Sequence, residues 1–269
     1  MMKLIKYEIL RKQNNIFIAI AILAFLELGI LFGLYKGGQW LTLSVFFIFI
    51  MVTCGILTVF IDTVRSYSFD LNQKQGYSLF LTPTSGYKII GAKGLVSLIE
   101  LLTVVLVVFG LMVINFQFTK YLYYDSVNEV TAQIIRFINE SNILPSLSQT
   151  FLFVTASTFE WFTVIMIAIL AITLRKTILS DSKIGWIISL AFFIALYTAM
   201  ELINATALAS FGFIGDMTDL TRISSTTPDP SIITGYIYKY LGISSILFPI
   251  YIGILFYFSG KLLNKRVDL

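Results

Sequence analysis

Four carboxylates stand inside stretches of the sequence that are otherwise apolar enough to cross a bilayer: Glu27, Glu100, Glu160 and Glu201. A charged side chain at the bilayer centre costs roughly 3 kcal/mol on insertion scales, so each is expected to face protein or a wet cavity, or to carry a proton. Three of them share a polar pattern: Ser97, Glu100 and Thr103; Ser157, Glu160 and Thr163; Thr198, Glu201 and Asn204. Steps of three residues keep each trio within one helical face about 120° wide. Such faces serve either as the wall of a translocation cavity or as interhelical hydrogen-bonding surfaces of protonated acids, and the residues leave both open. No lysine or arginine is expected at the depth of these acids, and no two of the acids are expected to cluster.

Other chemistry is sparse. Histidine is absent, which excludes Ser-His-Asp and Cys-His hydrolytic sites and imidazole metal ligation. The single cysteine, Cys54, lies in an apolar run and has no partner for an intramolecular disulfide. Gly86, Gly91 and Lys93 resemble a phosphate-binding G-x-x-x-x-G-K-[ST] loop, but Ala92 separates glycine from lysine and Gly94 stands where a hydroxyl is required. The stretch also opens a membrane helix rather than following a strand. An intramembrane hydrolase or lipid-modifying enzyme would need paired acids or a Ser-Lys site, and the sequence places neither.

The elements that must carry these residues follow from composition. Of 269 residues, 57% are hydrophobic and 13% charged, about half the charged share of a soluble domain. About 20 apolar residues in a helix span the hydrocarbon core. Six runs satisfy this, at residues 16–35, 40–61, 89–118, 151–174, 184–210 and 236–258, and they predict an all-α membrane protein with one transmembrane domain over residues 1–269. The first run lacks a small-residue cleavage motif and reads as a retained span.

Fourteen of the nineteen lysines and arginines fall on the side holding the N-terminus, Asp62 to Lys88 and the C-terminus, against five on the other. The positive-inside rule makes both termini cytoplasmic. Tyr35, Trp40, Tyr121, Tyr123, Tyr124, Tyr236, Tyr238 and Tyr240 gather at the outer ends, where amphipathic rings favour the headgroup layer.

Met2, Ile5 and Ile9 recur at helical spacing among Lys3, Lys6, Arg11 and Lys12, which predicts an interfacial helix on the inner leaflet, with a charged tether as the plainer alternative. In the outer loop, Ser126 and Glu129 form a capping box ahead of Val130, Ile134, Phe137 and Ile138, predicting a short surface helix. Residues 211–235 collect glycine, proline, serine and threonine and read as irregular. Gly29, Gly33 and Gly37 recur every four residues and invite close packing of a neighbouring backbone, with Glu27 nearly opposite that stripe. Pro249 and Gly253 interrupt the last span, where a kink is expected.

The inner segment from Asp70 reads Asp-Leu-Asn-Gln-Lys-Gln-Gly-Tyr-Ser-Leu-Phe-Leu-Thr-Pro-Thr-Ser-Gly-Tyr-Lys, followed by Gly91, Ala92 and Lys93. It resembles the loop after the second span in ABC-2-type transporter permeases. The basic N-terminal segment Lys3-Leu4-Ile5-Lys6-Tyr7-Glu8 and the six-span outline extend the likeness, while the sharp match is confined to Asp70 through Lys93. The N-terminal interfacial helix then corresponds to the elbow helix of such a permease. The resemblance implies a bacterial cell-membrane subunit paired with a second permease subunit, identical or related, over two ATPase subunits that hold ATP and Mg. This chain would bind no cofactor or metal of its own and no nucleic acid. It further implies a cytoplasmic coupling helix that docks into the ATPase, falling on Gln75, Gly76, Tyr77, Ser78, Leu79, Phe80 and Leu81. Glu27, Glu100, Glu160 and Glu201 would then line the translocation pathway. A narrower similarity to permeases of Gram-positive exporters of bacteriocins and cytolytic amphipathic peptides, phenol-soluble modulins included, points to an amphipathic or hydrophobic cargo. The rival within transport is a proton-coupled secondary carrier that uses the intramembrane glutamates.

Overall fold

A backbone that crosses lipid must satisfy its own hydrogen bonds, which leaves helices or closed barrels as the available forms. The protein takes the first. The structure, a computed structural model, describes residues 2–72, 85–123, 147–178, 185–211 and 230–265. Six α-helices account for nearly all of them: α1 Met2–Lys36, α2 Gln39–Asn72, α3 Gly86–Leu122, α4 Leu147–Ile178, α5 Gly185–Ser210 and α6 Pro230–Lys265. All six are long and apolar enough to cross a membrane, and no strand occurs among the described residues. The protein therefore has the helix complement of a multi-pass membrane protein.

Each expected span, over its described residues, lies within one helix, but most of the helices run further than the apolar stretch. α2 continues eleven residues past Ile61, through Asp62, Arg65, Ser66 and Asp70. α6 opens at Pro230, ahead of the expected start, as suits a residue with no amide hydrogen to leave unbonded in the first turn. It then passes through Pro249 as one helix. The expected coupling segment, Gln75 to Leu81, the expected outer helix after Ser126 and most of the stretch read as irregular lie outside the described residues.

The N-terminal segment differs from its expectation. Residues 2–15 are one helix with the first span rather than a separate surface helix. Its polar side is the one that is covered: Glu8 and Lys12 are buried, whereas Met2 is 81% exposed. Burial follows the ion pairs described below, which outweigh the modest apolar contribution of Met2, Ile5 and Ile9.

Two compact units divide the chain. The first holds α1, α2 and α3 from Gly91 onward. α1 and α2 pack as an antiparallel pair around a tight connection. Gly37 adopts φ 69° and its N–H bonds the Gly33 carbonyl at 3.2 Å, closing α1 with a left-handed cap. Gly33 lets α2 approach: a Cβ there would stand 2.9 Å from the Trp40 carbonyl oxygen and collide with Ser44 Oγ. Gly29 packs on the Phe47 ring. Two glycines of the expected stripe thus serve packing, and the third makes the turn.

The second unit holds α4, α5, α6 and the first turn of α3. α4 packs against both α5 and α6. It is buried all round from Ile165 to Thr173, the pattern of a helix apolar on every face. The start of α3 is fixed to the end of α6: the Gly86 amide donates to Asn264 Oδ1 at 2.7 Å, and the Tyr87 ring lies against Gly260 and Phe256.

Candidate functional site: a buried charge network in the first unit

Three polar stripes meet inside the first unit. On α1, Glu8, Arg11, Lys12 and Asn15 recur at i, i+3, i+4 and i+7. On α2, Asp62, Ser66 and Asp70 recur every four residues, and on α3, Lys93, Ser97 and Glu100 fall on one face. Helical continuity through Asn72 is what brings Asp62 and Asp70 into register with α1.

The contacts are direct. Lys93 Nζ lies 2.6 Å from Asp70 Oδ2 and donates to Glu8 Oε1 at 3.0 Å. Arg11 donates to Asp70 Oδ1 at 2.6 Å and to Glu8 Oε2 at 2.9 Å, and also bonds Ser66. Lys12 Nζ bridges the other two acids, donating to Glu100 Oε2 at 2.9 Å and lying 2.8 Å from Asp62 Oδ2. Asn15 bonds Asp62 Oδ1. Glu8, Lys12, Asp70, Lys93 and Glu100 are each at most 5% exposed. Charges taken from water at this burial persist only when paired and hydrogen-bonded.

Four acids, Glu8, Asp62, Asp70 and Glu100, face three bases, Arg11, Lys12 and Lys93, so the fully ionised network carries one uncompensated negative charge. Two carboxylate oxygens of the network, Glu100 Oε1 and Asp62 Oδ2, have no hydrogen-bond donor among the described residues. Ser97, next on the same stripe, turns inward and donates to the Gly94 carbonyl at 2.8 Å.

These positions revise the expectation that no basic residue reaches the intramembrane acids. Lys12 precedes the first apolar run, and its long stem places the ammonium beside Glu100, which sits only fourteen residues into α3. Lys93, the lysine of the phosphate-loop resemblance, has its ammonium committed to Glu8 and Asp70.

Glu27 behaves differently. It is buried, its partner is the Asn115 amide, which donates to Oε2 at 3.1 Å, and no cation pairs with it among the described residues. It joins α1 to α3 as interhelical bonding requires.

In the second unit, Glu160 of α4 and Glu201 of α5 come near enough to feel each other's charge, contrary to the expectation that no acids cluster. Tyr197 and Tyr240 stand beside them. Both acids are exposed, as are Ser157 and Thr198 of their stripes, while Thr163 and Asn204 are buried. Burial therefore divides each of the two expected faces. Nothing in either helix alone says that the two faces meet, because that depends on how α4 packs on α5. The charge network was missed for a different reason: Asp62, Ser66 and Asp70 read as loop residues and Arg11 and Lys12 as the charged side of an interfacial helix, although complementary signs at helical spacing on three segments were the available signal.

Comparison of the chain with family models, with curated proteins and with solved structures finds no match.

Proposed function

We propose that the chain is the membrane subunit of an ATP-driven exporter of amphipathic or hydrophobic cargo such as a peptide, working with a second permease subunit and powered by two separate ATPase subunits. The observation that carries this reading is the anchoring of both ends of residues 73–84, the segment holding the permease-like motif. Asp70, just before it, is held by Arg11 and Lys93, and Gly86, just after it, is held by Asn264. A segment that must receive force from a partner needs fixed ends to pass it into the spans. In this arrangement both termini and the 73–84 segment are cytoplasmic, the protein resides in a bacterial cell membrane, and the network of α1, α2 and α3 is the base through which the coupling contact acts.

A test uses Tyr77 and Phe80, three residues apart in the motif and so on one face of a short helix. Truncating such aromatic anchors commonly costs about 2 kcal/mol of binding, a roughly thirtyfold loss of affinity. Tyr77→Ala with Phe80→Ala is expected to leave membrane insertion intact while releasing a co-purifying ATPase and abolishing transport-linked hydrolysis in vesicles. Full retention of ATPase, hydrolysis and transport would refute the coupling role.

The proximity of Glu160 and Glu201 favours one second reading, a proton-coupled carrier, since two neighbouring acids readily share a proton. Transport driven by a proton gradient without nucleotide would select it.

A further inference from the structure

A cavity of about 230 Å³ opens in the first unit between α1, α2 and α3. Its residues sort by chemistry along its length. One end has Asn15, Asp62, Arg65 and Glu100, and the rest is walled largely by aliphatic side chains such as Ala19, Leu23, Val59 and Val107. From Asn15 to Leu23 the cavity follows α1 for about 12 Å at 1.5 Å per residue. It opens on the side of Ile18, Ile22 and Ile61, each at least 44% exposed.

Two groups mark the polar end. Glu100 is 95% buried, held by Lys12 through Oε2 and lying beside Asp62, and neither its Oε1 nor Asp62 Oδ2 takes a hydrogen bond from a donor among the described residues. Arg65 is exposed and makes no ion pair or hydrogen bond among the described residues. The network behind Glu100 has one negative charge too many, so the site calls for a cationic donor, whereas the Arg65 guanidinium calls for an anion with planar or tetrahedral oxygens. A ligand satisfying both, with an aliphatic tail for the groove, is a zwitterionic amphiphile. The volume equals that of about eight water molecules at roughly 30 Å³ each. It admits a headgroup and part of one chain, and excludes an amphipathic helix about 10 Å across.

From this complementarity we infer that the cavity is a binding site for an aminophospholipid of the phosphatidylethanolamine class. The primary ammonium donates to Glu100 Oε1, the phosphate pairs with Arg65, and the start of one acyl chain lies along Ala19, Leu23, Val59 and Val107 before leaving between Ile18 and Ile61. Asp62 supplies further negative potential beside Glu100; its Oδ1 accepts from Asn15, and its Oδ2 is ion-paired with Lys12. Lys12, the one cation of the network beside the polar end, is held between Asp62 and Glu100 and leaves Oε1 open. This site does not depend on the ATP-coupled reading, since it concerns a lipid retained beside α1 rather than cargo.

The experiment is a competition read by native mass spectrometry. The full-length chain, purified in detergent, is titrated with short-chain phosphatidylethanolamine, phosphatidylcholine and phosphatidylglycerol. Choline has no N–H to donate, and phosphatidylglycerol has no cation, so phosphatidylethanolamine is expected to bind at least tenfold tighter than either. Arg65→Gln, at an exposed position, should weaken all three lipids together, since each carries the phosphate. Glu100→Gln should erase the preference for ethanolamine over choline. If Glu100→Gln does not fold, the three-lipid series with Arg65→Gln still decides. Equal affinity for all three lipids, a preference for phosphatidylglycerol, or a phosphatidylethanolamine affinity unchanged in Arg65→Gln would each overturn the assignment.

Discussion

Lys93→Met isolates the energetics of the charge network. The wild-type ammonium is 3% exposed and touches two carboxylates of equal burial, at 2.6 Å from Asp70 and 3.0 Å from Glu8. Methionine keeps the length of the side chain and removes the charge, leaving four acids, three of them buried, to share Arg11 and Lys12. Removing one partner of a buried pair costs about 3 to 5 kcal/mol, because an uncompensated charge stays in the interior. That is a loss of roughly two to nearly four powers of ten in the folding equilibrium. Adding Glu8→Gln returns the imbalance to a single negative charge, as in the wild type, and should recover about 1 to 3 kcal/mol through the coupling of residues in one network. Glu8→Gln alone should cost less than Lys93→Met, since it moves four acids and three bases toward balance. Lys6→Met, at an exposed position on the same helix, should stay within about 0.5 kcal/mol. Unfolding in mixed micelles gives the free energies, and the maleimide labelling rate of Cys54, the only cysteine and a resident of α2, reports opening of the first unit. The electrostatic account fails if Lys93→Met costs less than about 1 kcal/mol, or if the double variant is as unstable as the single.

Gly33→Ala places a methyl group against the Trp40 carbonyl and Ser44, and should destabilise the α1 and α2 pair by about 1 to 3 kcal/mol, measured by the same unfolding assay. Glu160→Gln and Glu201→Gln should each leave stability within about 0.5 kcal/mol of the wild type. Their double variant should gain nothing over either single, since one substitution already removes the repulsion; additive changes in the unfolding midpoint would contradict their proximity. A cysteine placed at Gln73 in a Cys54→Ser background should be labelled only from the cytoplasmic side of intact cells, and labelling from outside would reverse the proposed orientation.

The number and order of the spans were legible because each is an unbroken apolar run, and hydropathy reports what lipid requires of a helix. Where a helix continues past its apolar run was not legible. Asp62, Arg65 and Asp70 look like loop residues, and only pairing across α1 and α3 makes a helical course through them favourable. Lys12 and Lys93 illustrate the same limit from the other side. Both were counted as markers of orientation, yet the ammonium of each is spent on buried acids. Setting aside these two and Arg11 leaves eleven basic residues against five, so the orientation argument keeps its direction without them. Glu27 and Glu100 were equivalent in sequence, each an acid in an apolar run. Asn115 in one case and Lys12 in the other give them opposite electrostatic settings.

The Gly86 clamp has a thermodynamic consequence. The Gly86 amide is one of the N–H groups that a helix start leaves without an intrahelical acceptor, and Asn264 Oδ1 fills it. The first turn of α3 is thereby tied to the last turns of α6 and frays with them rather than alone, so amide hydrogen exchange at the two places should rise together.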